Sequence, residues 1–208
     1  MFDKEHYMKC LHPNEKDNEF WKSDETYTAF QENYDICKEF NPQSIVEIGV
    51  RYGYSAYAYL SACPTAHYYG FDLTTGNRRS GGVRSTDTLP YVKETLKKHF
   101  PKSQVKLFYK NSQLCTLLKE FDEPIDFFHV DGNHSVNGCF HDLVVALYTV
   151  KEGGIILVDD ITNHLVKQGT KLFCDIFQYN LKDVDFRDTK KGDCIITTGN
   201  TPYEGATC

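Results

Sequence analysis

Several acidic residues of this chain stand at the ends of apolar runs, where a fold tends to gather chemistry. Asp72 closes HYYGF, Asp131 closes IDFFHV, and Asp159 and Asp160 close GGIILV. Glu47 lies near the end of a further run, SIVEI, and is followed by Gly49, Gly53 and Ser55. Carboxylates accept hydrogen bonds from hydroxyls and bind hard cations such as Mg²⁺, Mn²⁺ or Ca²⁺. Glycines at a strand-to-helix turn let the backbone approach a ligand, and a helix N-terminus offers N–H groups to an anion or carboxylate. The dinucleotide fingerprint G-x-G-x-x-G is absent, because Val50, Arg51 and Tyr52 separate Gly49 from Gly53. That argues against a nicotinamide or flavin enzyme. A polar trio, Asn111-Ser112-Gln113, follows another apolar run, and His134 follows Asp131 by three residues.

These residues need elements to hold them. Short apolar runs at 44–48, 67–71, 105–109, 125–130 and 154–158 read as strands. Between and after them, residues 55–62, 89–100, 113–121, 139–150 and 166–179 read as helices. Two last strands, 184–186 and 194–197, flank a polar turn too short for a crossover, so they should run antiparallel. Alternating strands and helices imply a mostly parallel sheet with helices on both faces. Ahead of this, residues 1–43 form a helical extension, with Tyr27, Phe30, Tyr34 and Cys37 on one face of a helix over 24–40. This helix either packs on a sheet edge or covers a site. Residues 44–208 make the main domain. Within it, residues 74–87 read as a loop or lid carrying Arg78, Arg79 and Arg84, which are either solvated or meet an anionic acceptor.

The pattern E-x-G-x-x-x-G-Y-S, with Asp72, Asn111-Ser112, IDFFHVDGNH and GGIILVDDI following in order, resembles class I S-adenosylmethionine-dependent methyltransferases. The resemblance is strongest to metal-dependent small-molecule O-methyltransferases with an Asp-Gly-X-His signature. It covers about residues 44–198. It implies a Rossmann-like α/β fold, a seven-stranded sheet in the order 3-2-1-4-5-7-6 with strand seven antiparallel. It also implies S-adenosylmethionine as cofactor, held by Glu47, Gly49, Gly53, Ser55, Asp72, Asn111, Ser112 and Asp131. Asp72 would bind the ribose hydroxyls, and Asn111 and Ser112 the adenine edge. Asn111 departs from the acidic residue often found near its position, although an amide offers both donor and acceptor.

In the resembled fold the fourth and fifth strands are neighbours, which brings Asp131, Asp159 and Asp160 to one sheet edge. Crowded carboxylates repel unless some are protonated or a cation lies between them. A divalent cation, Mg²⁺ first, is therefore expected on these three residues. Adjacent strand residues point to opposite faces, so Asp159 and Asp160 share an ion only if the strand has already turned. The plain alternative is that they cap the following helix. In related sugar O-methyltransferases a histidine at the offset of His134 takes the acceptor's proton. An unperturbed imidazole, with a pKa near 6.5, suits that duty. The alternative reading makes His134 a helix cap or a metal ligand. His129 and His141 are weaker candidates, one lying within a strand and the other within a helix.

The expected activity is methyl transfer to a hydroxyl of a small molecule, a sugar or other diol. The alternatives are a diverged hydroxylase-like enzyme and a non-catalytic cofactor-binding module. Lys and Arg total 23 against 29 Asp and Glu, a net charge of −6 that gives no footprint for nucleic acid. No apolar run reaches the roughly 20 residues of a membrane helix, and the start MFDKEHYMKC lacks a signal-peptide pattern. The 8 cysteines include no C-x-x-C pair and sit partly in apolar runs, as reduced thiols of a cytoplasmic protein do. Homo-oligomerisation is left open.

Overall fold

Apolar runs without alternation mark strands covered on both faces. Two such strands are β1 (Ser44–Ile48) and β4 (Ile125–Val130), in which every residue is buried. The computed structural model describes residues 2–9, 23–73, 85–113, 117–121, 123–187 and 192–199. Around β1 and β4 the chain forms α1 (Lys4–Lys9), α2 (Asp24–Phe40), α3 (Tyr54–Ala62), β2 (His67–Asp72), α4 (Ser85–His99) and β3 (Val105–Tyr109). After β4 come α5 (Val136–Thr149), β5 (Val150–Val158), α6 (His164–Phe177), β6 (Leu181–Arg187) and β7 (Asp193–Thr198).

The seven strands are ordered β3-β2-β1-β4-β5-β7-β6, the order expected. The pairs β2–β3, β1–β4 and β4–β5 are parallel, and β7 runs antiparallel to both β5 and β6. The β6 strand has charged residues Lys182, Asp183 and Asp185 exposed along it, a device that discourages pairing with another chain. Among the described residues no helix is long and apolar enough to cross a membrane.

The chain divides into two compact units. The first comprises Met1–Gln43 and Val50–Asn111. Within it, Ser23 caps α2 by accepting from the Thr26 N–H, and Asn41 ends the helix in a left-handed conformation. Phe30, Tyr34 and Cys37 are buried on the expected face, and α2 packs on α3. Phe2 stacks on Tyr27 at 5.4 Å between ring centroids, and Tyr7 meets Tyr54 edge-on at 5.7 Å. These rings tie the N-terminal residues to the first turn of α3.

The second unit comprises Ser44–Gly49 and Ser112–Cys208. Ser135 caps α5 through the Gly138 N–H, and Asn163 caps α6 through the Leu165 N–H. The Ser44 N–H donates to Asp126 Oδ2 at 3.0 Å, joining the starts of β1 and β4.

Several elements differ from the sequence reading: among them, β5 starts at Val150 rather than at residue 154, and α5 spans Val136–Thr149 rather than 139–150. Residues 113–121 do not form one helix: among the described residues there is a single 3₁₀ turn, Leu117–Glu120. Of the described side chains in that stretch beyond Gln113, Leu117 is the buried one. The α4 helix begins at Ser85, not Leu89, and contains Pro90; burial of Leu89, Val92 and Leu96 outweighs the missing N–H. Part of residues 74–87, with Arg78, Arg79 and Arg84, lies outside the described residues.

Candidate functional site

In the first unit, the turn entering α3 is built from two residues at positive φ, Arg51 at 48° and Gly53 at 74°. The Gly53 N–H donates to the Val50 carbonyl at 2.7 Å and closes the turn. A Cβ on Gly53 would come within 2.5 Å of Val92 Cγ1, so the site admits only glycine without movement of α4. Gly53 also occupies the cap position of α3 and has no side chain to satisfy the helix N-terminus. Ser55 is nearly buried one residue inside that helix.

Asp72 ends β2 and binds this turn directly. Its Oδ2 accepts the Arg51 N–H at 2.6 Å, and its Oδ1 accepts the Leu73 N–H at 2.6 Å. Carboxylate oxygens are the acceptor type that a ligand's hydroxyls would meet. Its backbone carbonyl takes the Lys110 N–H at 2.9 Å, which sets the residue next to Asn111 in the chain beside Asp72.

In the second unit, Gly49 has φ 96°. A Cβ there would lie 2.7 Å from the Asp131 carbonyl carbon and closer still to its oxygen. The backbone after β4 therefore crosses directly against Gly49, and the Asp131 N–H donates to the Ile48 carbonyl at 3.0 Å. The close approach that the sequence suggested for a ligand is made here by the chain's own backbone.

Glu47 and His129 are register partners on β1 and β4. Both side chains are 0% exposed, and Glu47 Oε1 lies 3.1 Å from His129 Nδ1. Burial tends to lower the imidazole's pKa. The hydrogen bond and charge of Glu47, aided by Asp131 and Asp159, outweigh it and push the pKa up to about 9. Glu47, expected among the cofactor ligands, thus spends at least one oxygen on an internal ion pair.

His134 sits between two carboxylates. Its Nε2 is 3.3 Å from Asp131 Oδ1 and 3.5 Å from Asp160 Oδ2. The hydrogen bond to Asp131 raises its pKa above the ordinary value, burial opposes this, and the charges of Asp131, Asp160 and Asp159 add to the rise. Asp160 adopts φ 59°, so the chain has already turned after β5. Asp159 is buried, and its Oδ1 accepts the Asp160 N–H at 2.7 Å.

The acidic trio is therefore sorted into two groups, each with ligand atoms within 4.8 Å of one another. One is Asp131, His134 and Asp160; the other is His129, Asp131 and Asp159. Asp131 belongs to both. His134 joins the carboxylates, whereas Asp159 and Asp160 serve different groups. His141, the other weak candidate, has its Nδ1 3.6 Å from Asp142 Oδ1.

Asp142 was missed in the sequence. It is 0% exposed on α5, and its Oδ2 would be 2.9 Å from a Cβ placed on Gly132. Burial raises its pKa, while Ser112, His141 and the Asn133 backbone lower it. The available signal was its position on the buried stripe Cys139, Asp142, Leu143, Ala146. Ser112, the expected adenine-edge residue, is buried near this carboxyl.

The sequence profile of a methyltransferase domain matches residues 46–161, more than half of the chain. The chain belongs to this methyltransferase family. Solved structures similar to the methyltransferase share its fold. One is a Podospora anserina methyltransferase bound to S-adenosylhomocysteine, at TM-score 0.67 and 18% identity, covering 96% of this chain and 89% of that one. Another is the O-methyltransferase TomG of Streptomyces achromogenes, involved in tomaymycin synthesis and solved with S-adenosylmethionine. It gives TM-score 0.65 and 15% identity over 95% of this chain and 91% of that one. A Bacillus cereus O-methyltransferase with S-adenosylhomocysteine gives 0.62 and 15%, over 82% and 80%. No curated protein sequence matches the methyltransferase.

Proposed function

We propose that this methyltransferase moves the methyl group of S-adenosylmethionine to a hydroxyl oxygen of a small sugar-like or other diol acceptor, assisted by a divalent cation. The observation that carries the reading is the His134 imidazole held between Asp131 and Asp160. It places a titratable nitrogen among carboxylates at the sheet edge where open α/β folds bind ligands.

The residues present fit both groups. Asp72 offers carboxylate oxygens of the kind ribose hydroxyls bind, and the α3 N-terminus, capped by Gly53 and followed by Ser55, suits a carboxylate. Asn111 and Ser112 offer amide and hydroxyl to the adenine edge. S-adenosylmethionine would supply a methyl group on a positively charged sulfur, already activated for transfer. For the cation, the carboxylates of Asp131 and Asp160 converge beside His134, and oxygen ligands suit Mg²⁺. A bound cation would lower the acceptor hydroxyl's pKa. His134 then accepts the proton released as the oxygen attacks. That step requires a neutral ring nitrogen; the negative charges of Asp131 and Asp160, which raise the His134 pKa, would be offset by the cation they hold.

The test is methyl transfer from labelled S-adenosylmethionine to a panel of sugars, diols and catechols, with and without a chelator. Methylated hydroxyl product that requires Mg²⁺ supports the reading. Tight S-adenosylhomocysteine binding with no product from any acceptor class would favour a cofactor-binding module instead.

A further inference from the structure

Away from the carboxylates, two cysteines from different helices of the first unit meet in its interior. Cys37 lies in the last turn of α2, and Cys63 is the residue that ends α3. Their Sγ atoms are 3.8 Å apart. Cys37 is 0% exposed and Cys63 is 5% exposed. Cys37 Sγ also lies 3.7 Å from the Tyr59 carbonyl, and Cys63 Sγ lies 3.6 Å from the Cys37 carbonyl and 3.8 Å from Asn41 Oδ1. Both residues are free thiols in the structure. A disulfide bond is about 2.05 Å long, so the gap is within reach of side-chain rotation and a small shift of either helix end. Cys139 differs: its sulfur rests on the Val166 carbonyl at 3.7 Å and Thr170 Oγ1 at 3.6 Å.

We propose that Cys37 and Cys63 are a redox-reactive dithiol, which a peroxide oxidises to an intramolecular disulfide that staples α2 to α3. The inference is independent of the methyl-transfer reading.

The two sulfurs are not equivalent. The hydrogen bond from Cys37 holds the Cys63 thiol below its ordinary pKa, with burial opposing. The same contact, together with burial, pushes Cys37 well above its own. Cys63, at the helix end and the more exposed of the two, is the nucleophile, and the fully buried Cys37 is the resolving thiol. The Cys63 thiolate attacks one oxygen of hydrogen peroxide and the O–O bond breaks. The hydroxide leaves and takes up the proton that Cys63 released, giving water and a sulfenic acid. Cys37 then attacks the Cys63 sulfur, the S–O bond breaks, and the hydroxide leaves as water with the Cys37 proton. The dithiol loses two electrons and two protons, and peroxide is reduced to two waters. The oxidant's small size suits a pair with so little exposed sulfur.

The disulfide would close a loop between residues 26 apart, containing β1 and the Gly49–Gly53–Ser55 turn. Closing such a loop restricts the unfolded chain, so the oxidised form should melt about 5 °C or more higher. The experiment treats the reduced full chain with hydrogen peroxide, blocks remaining thiols under denaturing conditions, and maps peptides by mass. The expected result is loss of two thiols, a peptide linking Cys37 to Cys63, a raised Tm, and reversal by a reductant. In Cys37→Ser, oxidation should stop at a sulfenic acid on Cys63 that a dione probe captures. Oxidation without a Cys37–Cys63 link, or a link between other cysteines in its place, would overturn the proposal. Mapping of the unsubstituted chain decides this whether or not the variant folds.

Discussion

Asp159 and Asp160 are consecutive in the chain but face different partners: Asp159 groups with buried His129, and Asp160 with half-exposed His134. The turn at Asp160, with φ 59°, is what separates them. Cation binding should follow this division. Asp131→Ala and Asp160→Ala should each lose Mn²⁺ binding, followed by calorimetry or by the spectrum of the bound ion. Asp159→Asn should retain most of it and lose stability instead. Equal loss of ion affinity in all three variants would return Asp159 to the ligand set.

His134 touches both carboxylates and is assigned to the acceptor's proton. His134→Gln should lower the methyl-transfer rate roughly 10²-fold, the usual scale for general-base catalysis. S-adenosylhomocysteine affinity should stay near that of the unsubstituted chain. A variant with full rate would remove the base role, and one without cation binding would make His134 a ligand.

Asp72 accepts the Arg51 and Leu73 N–H groups and is assigned to the ribose hydroxyls. Asp72→Ala should weaken S-adenosylhomocysteine by about 1.5–3 kcal/mol, the range for hydrogen bonds to a charged group. Calorimetry measures it directly. An unchanged dissociation constant would move the ribose contact elsewhere.

The buried pair of Glu47 and His129 makes stability depend on pH. The folded-state pKa of His129 is about 9, above its ordinary value near 6.5. The folded state therefore binds the proton more tightly than the unfolded chain. The pair's contribution is fully present below about pH 6.5 and is lost as pH rises through about 9. Tm measured from pH 7 to 10 should fall, and His129→Gln should flatten that slope. A slope unchanged by the substitution would show that other groups cause it.

Gly49 lies against the Asp131 backbone at φ 96°. Gly49→Ala adds a methyl into that backbone and a strained φ, and should cost roughly 2 kcal/mol or more of stability. Denaturant unfolding without any cofactor is the measure. Loss of cofactor affinity at undiminished stability would mean that the glycine serves the ligand rather than the fold.

Local chemistry was legible in the sequence. Apolar runs, helical spacing and turn residues gave the seven strands, their expected order followed from the resemblance, and the methyltransferase family is borne out by residues 46–161. The 3₁₀ turn at Leu117–Glu120, in place of the helix expected over 113–121, was not legible. The apolar residues there fit helical spacing, but whether they reach the core depends on what packs over them.

By itself the chain determined which residue types stand at each strand end, because side-chain periodicity and turn preference act over a few residues. Only the tertiary structure decided which of them meet. Glu47 and His129 are 82 residues apart, and their contact exists because β1 and β4 pair in one register. A shift of one residue would turn both side chains to opposite faces. The same holds for Cys37 against Cys63, which depends on two helix ends meeting. Asp160 is placed beside His134 by a backbone turn whose left-handed angle ordinary propensity disfavours outside glycine. Register, helix docking and strained turns are set by the packing of the whole sheet, so no local reading of residues reaches them.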